Sequence, residues 1–233
     1  LITVSDVFCS VYCWCTVQSA SVVTGETKTS LPASSTTTAT TATCQVRVPD
    51  DCNTLKEAVK KVHEDSRLTT IVLGEGEHNI DSDFLMIESA MNIVGDPGVP
   101  KEKIVVVGGV YFNGGILGNG HLQHLTLRQA RGNGVIGDSS FTMEDVLVEQ
   151  CGGCGVVASG TGVVGRCTNM EVHQCGWNGV FARSGGSIIL IGAKTTVHHN
   201  CTTEYSRNYG LSVDDASSTI QLVYPLSKEQ VSI

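Results

Sequence analysis

From about residue 120 the chain alternates short apolar runs with turns rich in Gly and Asn, and it repeats itself. Asn133-Gly-Val-Ile, Cys154-Gly-Val-Val, Asn178-Gly-Val-Phe and Tyr209-Gly-Leu-Ser align on Gly134, Gly155, Gly179 and Gly210, at spacings of 21, 24 and 31. A second set aligns independently: Leu125-Thr-Leu127, Val146-Leu-Val148, Met170-Glu-Val172 and Thr195-Thr-Val197. A third strand is expected at Phe141–Met143, Gly162–Gly165, Ser187–Leu190 and Thr219–Leu222. Three short strands per repeat predict one coil of an all-β parallel solenoid. Coils stacked about 4.8 Å apart would pair every backbone group and set like residues above like.

Period-2 alternation then sorts the side chains. Val135, Val156, Val180 and Leu211 form one inward column, with Gly137, Ala158, Ala182 and Val213 beside it; Leu127, Val148, Val172 and Val197 form another. Ile136, Val157, Phe181 and Ser212 point outward, as do Asp138, Ser159, Arg183 and Asp214.

One helix interrupts this pattern. Thr54-Leu-Lys-Glu57 is a capping box, and Leu55, Ala58, Val59 and Val62 follow at helical spacing. The helix, about 54–65, would cap the first coil and shield an open sheet edge. Leu68–Gly76 reads as the strand after it. Gln230-Val-Ser-Ile233 reads as an unfinished strand on an uncapped C-terminal edge, so the native polypeptide is expected to continue.

Composition narrows the possibilities. The chain has 233 residues, 26 of them Gly, and a formal net charge of −8. That balance argues against nucleic acid or an anionic membrane as main partner, since both reward clustered Lys and Arg. No run is apolar enough for a membrane span. Residues 1–43 read as a Thr/Ser-rich, disordered leader and 44–233 as the folded domain. The ten Cys are read mainly as small buried hydrophobes; Cys151-Gly-Gly-Cys154 has the spacing of a redox pair or half a zinc site, without a second half. The leader and the Cys count point toward a secreted or cell-surface protein.

The helix followed by Thr70-Ile-Val-Leu-Gly74, then Asn92-Ile-Val-Gly-Asp-Pro-Gly98, then the (Asn/Tyr)-Gly-(Val/Leu) coils resemble the pectin-lyase-like right-handed, single-stranded parallel β-helices. More narrowly, they resemble the right-handed β-helix region proteins of diatoms and other protists. The resemblance spans about residues 46–233 and implies the fold; β-helices host lyases, hydrolases, epimerases, adhesins and scaffolds alike.

Against the family's catalytic patterns, this chain keeps few positions. The resemblance to pectate lyases implies several carboxylates on adjacent coils for calcium and an Arg base; here Arg183 and Asp214, with Asp215 following, are the counterparts. Calcium takes six or more oxygens, so it enters only under a lyase reading, and otherwise no cofactor is expected. Polygalacturonase-like motifs are reduced to Asp214-Asp215, expected to face opposite ways as strand neighbours. Tyr209-Gly-Leu-Ser-Val-Asp-Asp215 shares only the opening of the uronan-epimerase stretch.

A second outward column runs Arg128, Glu149, His173, His198, followed by Gln129, Gln150, Gln174 and His199. The Gln side chains would form an amide ladder. His173 and His198, with His199, offer a transition-metal alternative. The preferred expectation is a non-catalytic binding or structural module for polysaccharide or protein, with Phe181, Arg183 and Asp214 as binding residues. The alternative is a divergent polyuronate lyase, glycoside hydrolase or epimerase centred on Arg183, Asp214 and Asp215.

Overall fold

The computed structural model describes residues 2–4, 44–203 and 209–231. Most of the leader expected over 1–43 lies outside the described residues; within it only 2–4 are described.

The chain winds as a parallel β-solenoid with three strand faces per coil. The first face stacks Gln45–Val48, Thr70–Leu73, Asn92–Gly95, then segments beginning at Gly120, Phe141, Val164, Ser187 and Thr219. The second stacks segments beginning at Gly76, Ile104, Leu125, Val146, Glu171 and Thr196. The third stacks segments beginning at Phe84, Gly109, Val135, Val156, Val180 and Leu211. The expected registers of the Val columns hold: Val156 lies between Val135 and Val180, and Val172 between Val148 and Val197. All six are fully buried.

Helix α1, Leu55–Glu64, sits between the first two strands of the first face, where a coil would otherwise supply its second and third strands. Thr54 accepts from the Glu57 amide, while Glu57 reaches back to Asn53 N at 3.1 Å. Leu55, Ala58, Val59 and Val62 are buried against the first coil, as their spacing requires.

Corners carry most of the left-handed backbone. His124, Asp145 and Asn169 turn the first face into the second, and Gln129, Gln150, Gln174 and His199 turn the second into the third, all with φ between 50° and 56°. The Gln ladder forms: Gln129 Nε2 donates to Gln150 Oε1 at 3.4 Å and Gln150 Nε2 to Gln174 Oε1 at 3.3 Å.

Four expectations change. The strand expected from Gly162 begins at Val164, with Gly162 in the turn at φ 82°, and Gly165 rather than an apolar residue lies over Phe141. A Cβ at Gly165 would come within 2.5 Å of the Phe141 ring, so the bulky ring dictates the register. Second, Ile136 and Val157, though on the outer side, are buried in a separate apolar cluster with Cys154, against which Phe84, Tyr111 and Phe181 pack. Third, Lys228–Val231 is a short helix, not a strand; Pro225 breaks the extended run, and Leu226 and Val231 are buried against the last coil. Fourth, the last strand of the first face is not a bare edge, because Ile2–Val4 pairs antiparallel with Thr219–Leu222.

Candidate functional site

On the third face, the outward positions beside the inward Val column run Tyr111, Ile136, Val157, Phe181, Ser212. Two residues further along each strand or its end come Asp138, Ser159, Arg183 and Asp214. An apolar row and a polar row therefore run side by side along the solenoid axis. Tyr111 Oη donates to Asp138 Oδ2, which pushes the tyrosine hydroxyl above its usual range, with burial adding to the effect. The other Asp138 oxygen and Ser139 Oγ are buried without a hydrogen-bond partner among the described residues.

Arg183 and Asp214 are exposed at adjacent rungs. Asp214 and Asp215 correct the expectation that they face apart: the strand ends at Val213, so both lie in the following bend and their carboxyl groups meet. Partial burial and then the Asp215 carboxylate raise Asp214 above the ordinary carboxylate range. Asp215 moves the opposite way, held strongly down by Ser217 and Ser218. Its Oδ1 accepts from Ser217 N at 2.8 Å and Ser218 N at 2.9 Å, so it closes the turn. The Ser184 and Gly185 amides each lie 3.4 Å from one of the two carboxylates. Two carboxyl groups shifted in opposite directions beside a guanidinium are a set that could bind a hydroxylated chain.

Sequence reasoning passed over two aromatics here. Trp177 is 47% exposed and Tyr209 59%, both on the turns that lead into the strands of Phe181 and Ser212. Exposed aromatics on consecutive coils were the available signal. The Asn178 side chain holds that turn by accepting from Tyr209 N at 2.7 Å.

The second face carries the other candidates. Arg128 Nε donates to Glu149 Oε1 at 2.6 Å, and Glu149 Oε2 lies 3.5 Å from His173 Nε2. Glu171, not singled out from the sequence, places Oε1 at 3.2 Å from His198 Nε2 and 3.9 Å from His173 Nε2. The His173 and His198 rings stack at 5.2 Å, and His198 Nδ1 meets His199 Nδ1 at 2.7 Å. Among the described residues, no group of three or more His, Cys, Asp or Glu could hold a metal ion. The CxxC pair is split: Cys151 belongs to the main core and Cys154 to the outer cluster, both buried thiols. Burial and other groups push the Cys154 thiol upward, and Cys167 is pushed up to about 12 by burial. Asn200, at the next corner position, has its side-chain amide engaged, its Oδ1 accepting from Cys175 N and its Nδ2 donating to Val172 O.

Two cavities of about 320 and 340 Å³ lie near α1, where Phe84 lines the first, and at the Asn79–Asp83 corner, where Gln129 lines the second. No helix among the described residues is long and apolar enough to cross a membrane. Compared with known proteins, the chain matches no family model, no curated protein and no solved structure.

Proposed function

We propose that this solenoid is a non-catalytic module that binds an extended polysaccharide along its third face. The observation that carries the reading is the pairing of rows: Tyr111 and Phe181 frame an apolar strip, while Asp138, Ser159, Arg183 and Asp214 parallel it one step away. A polymer with apolar ring faces and polar edges fits such a strip, the aromatics taking the faces and the charged row the hydroxyls or carboxylates. Trp177 and Tyr209 extend the aromatic supply at one end. The pectin-lyase-like resemblance supports the same class of ligand. The test is affinity electrophoresis against a neutral glucan and a polyuronate. Binding should be lost in Phe181→Ala and weakened in Arg183→Ala; unchanged migration of both variants in a bound gel would remove the third face as the site.

A second reading rests on the opposite shifts of Asp214 and Asp215. Two adjacent carboxyl groups pushed in opposite directions are the starting point for the division of labour that general acid and base need. This would make the same face a polyuronate-cleaving, glycoside-hydrolysing or epimerising site. Turnover abolished by both Asp214→Asn and Arg183→Ala would favour it over simple binding.

A further inference from the structure

We infer that Cys151 and Cys175 form a redox modification site, at which a peroxide closes the two thiols into a disulfide that staples adjacent coils.

The two thiols occupy one column. Gly176 N, directly after Cys175, donates to Cys151 O at 2.7 Å, so the cysteine backbones are neighbours on consecutive coils. Rungs of a parallel sheet stand about 4.8 Å apart, inside the roughly 4.4–6.8 Å between Cα atoms that a disulfide spans. The preceding corner residues, Gln150 and Gln174, have φ values of 55° and 56°, so both cysteines leave the corner the same way. Each Sγ lies against the carbonyl two residues before it, Glu149 O at 3.6 Å and His173 O at 3.7 Å. The side chains therefore run parallel, and the sulfurs meet in a hydrogen bond. Other described cysteines offer no such match: Cys154 faces the Asn178 amide, and Cys167 lies between Met143 and Leu190.

The pair is buried yet shallow. Gln150, Gly152 and Gln174, beside the two cysteines in the chain, are exposed. A peroxide, little larger than water, reaches the sulfurs when this corner opens locally. The hydrogen bond from Cys151 holds the Cys175 thiol below its ordinary range, which favours the thiolate, the reactive form, at Cys175. That thiolate attacks one peroxide oxygen: an S–O bond forms, the O–O bond breaks, and the departing hydroxide takes the Cys151 proton as water. The Cys151 sulfur then attacks the Cys175 sulfenic sulfur. An S–S bond replaces the S–O bond, and the second hydroxide takes up the proton that Cys175 released. Two thiols and one peroxide thus give one disulfide and two waters; the sulfurs lose two electrons and the peroxide gains them. The staple lies beneath the corner that leads into Val156–Ser159 and Val180–Arg183, two neighbouring rungs of the third face, and fixes their register.

The test uses the full chain, reduced, freed of reductant and exposed to hydrogen peroxide without denaturant. After free thiols are blocked, trypsin should release one linked pair of peptides, 132–166 joined to 167–183, which dithiothreitol separates. Cys151→Ala and Cys175→Ala should each abolish the link. The Cys154→Ala/Cys167→Ala double variant should keep it, since only Cys151 and Cys175 then remain in those two peptides. Oxidation should raise the melting temperature of the native chain by about 6–12 °C and leave that of Cys151→Ala unchanged. Circular dichroism checks each variant's fold; should one unfold, fragmentation of the native linked pair in the mass spectrometer locates the bridge directly. No linked pair, a bridge located at Cys154 or Cys167, or a link that survives Cys151→Ala or Cys175→Ala would each overturn the assignment.

Discussion

Asp145 Oδ2 lies 2.7 Å from His124 Nδ1 on the neighbouring coil, and Lys101 Nζ meets the other carboxylate oxygen at 2.6 Å. His124 Nε2 faces the Val99 carbonyl at 2.9 Å, so both ring nitrogens point at acceptors and the imidazolium is the form that satisfies both. Burial opposes this charge, yet Asp145 and Val99 raise His124 above its ordinary 6.5. Asp145 itself is lowered: burial works against the shift, while Lys101 and His124 outweigh it.

The two shifts set a pH window. A raised histidine contributes stability that is complete below its unfolded value of 6.5 and fades as pH rises through the higher folded value. A lowered carboxylate contributes above its unfolded 3.8 and fades as pH falls through the lower folded value. The cluster therefore stabilises most between those values. His124→Asn keeps a residue that tolerates φ 52° and removes the titration. Its melting temperature should fall less than the native protein's between pH 6 and 8; equal slopes would exclude His124 from the pH dependence.

The aligned glycines are required by the coil below each one. A Cβ at Gly155 would come 2.6 Å from the Gly179 carbonyl oxygen and 2.4 Å from Val172 Cγ1. Gly134 and Gly179 meet the same obstruction from Gly155 and Gly210. Gly155→Ala should destabilise by about 1–3 kcal/mol, as over-packing does. Urea unfolding measures it, with Gly114→Ala for comparison, where a Cβ would meet only Asp138 atoms at 3.6 and 3.8 Å, ordinary contact distances.

Glu149 is 8% exposed, and Arg128 is its closest cationic partner. Replacing Arg128 with Ala strands a nearly buried carboxylate and should cost about 1.5–3 kcal/mol. Glu149→Gln in the same background should recover part of that loss, because the stranded charge is gone. A double-mutant cycle by denaturant unfolding resolves the two effects.

Asp214 and Asp215 should separate by role. Asp215→Ala removes the acceptor for Ser217 and Ser218 and should lower the melting temperature. Asp214→Asn, at an exposed carboxyl above its ordinary range, should leave the melting temperature unchanged at pH 7 and alter ligand binding only. An equal thermal loss in both would make the pair purely structural.

Solenoid class, the capping helix and the vertical alignment of the Val columns were legible in the chain, because a strand period of two and a coil period in the twenties act residue by residue. Val156 could be set under Val135 from spacing alone. What the chain did not disclose depends on volumes and turns between coils. Phe141 needs Gly165 beneath its ring, which moved one strand by more than a residue, and Ile136 and Val157 are buried on a face where alternation alone puts them in solvent. The meeting of Asp214 with Asp215, and the placing of Glu171 between two histidines, follow from where each strand stops and which rotamers stacking allows. Local periodicity specifies which way a side chain leaves the backbone; only the packed coils decide what it meets there.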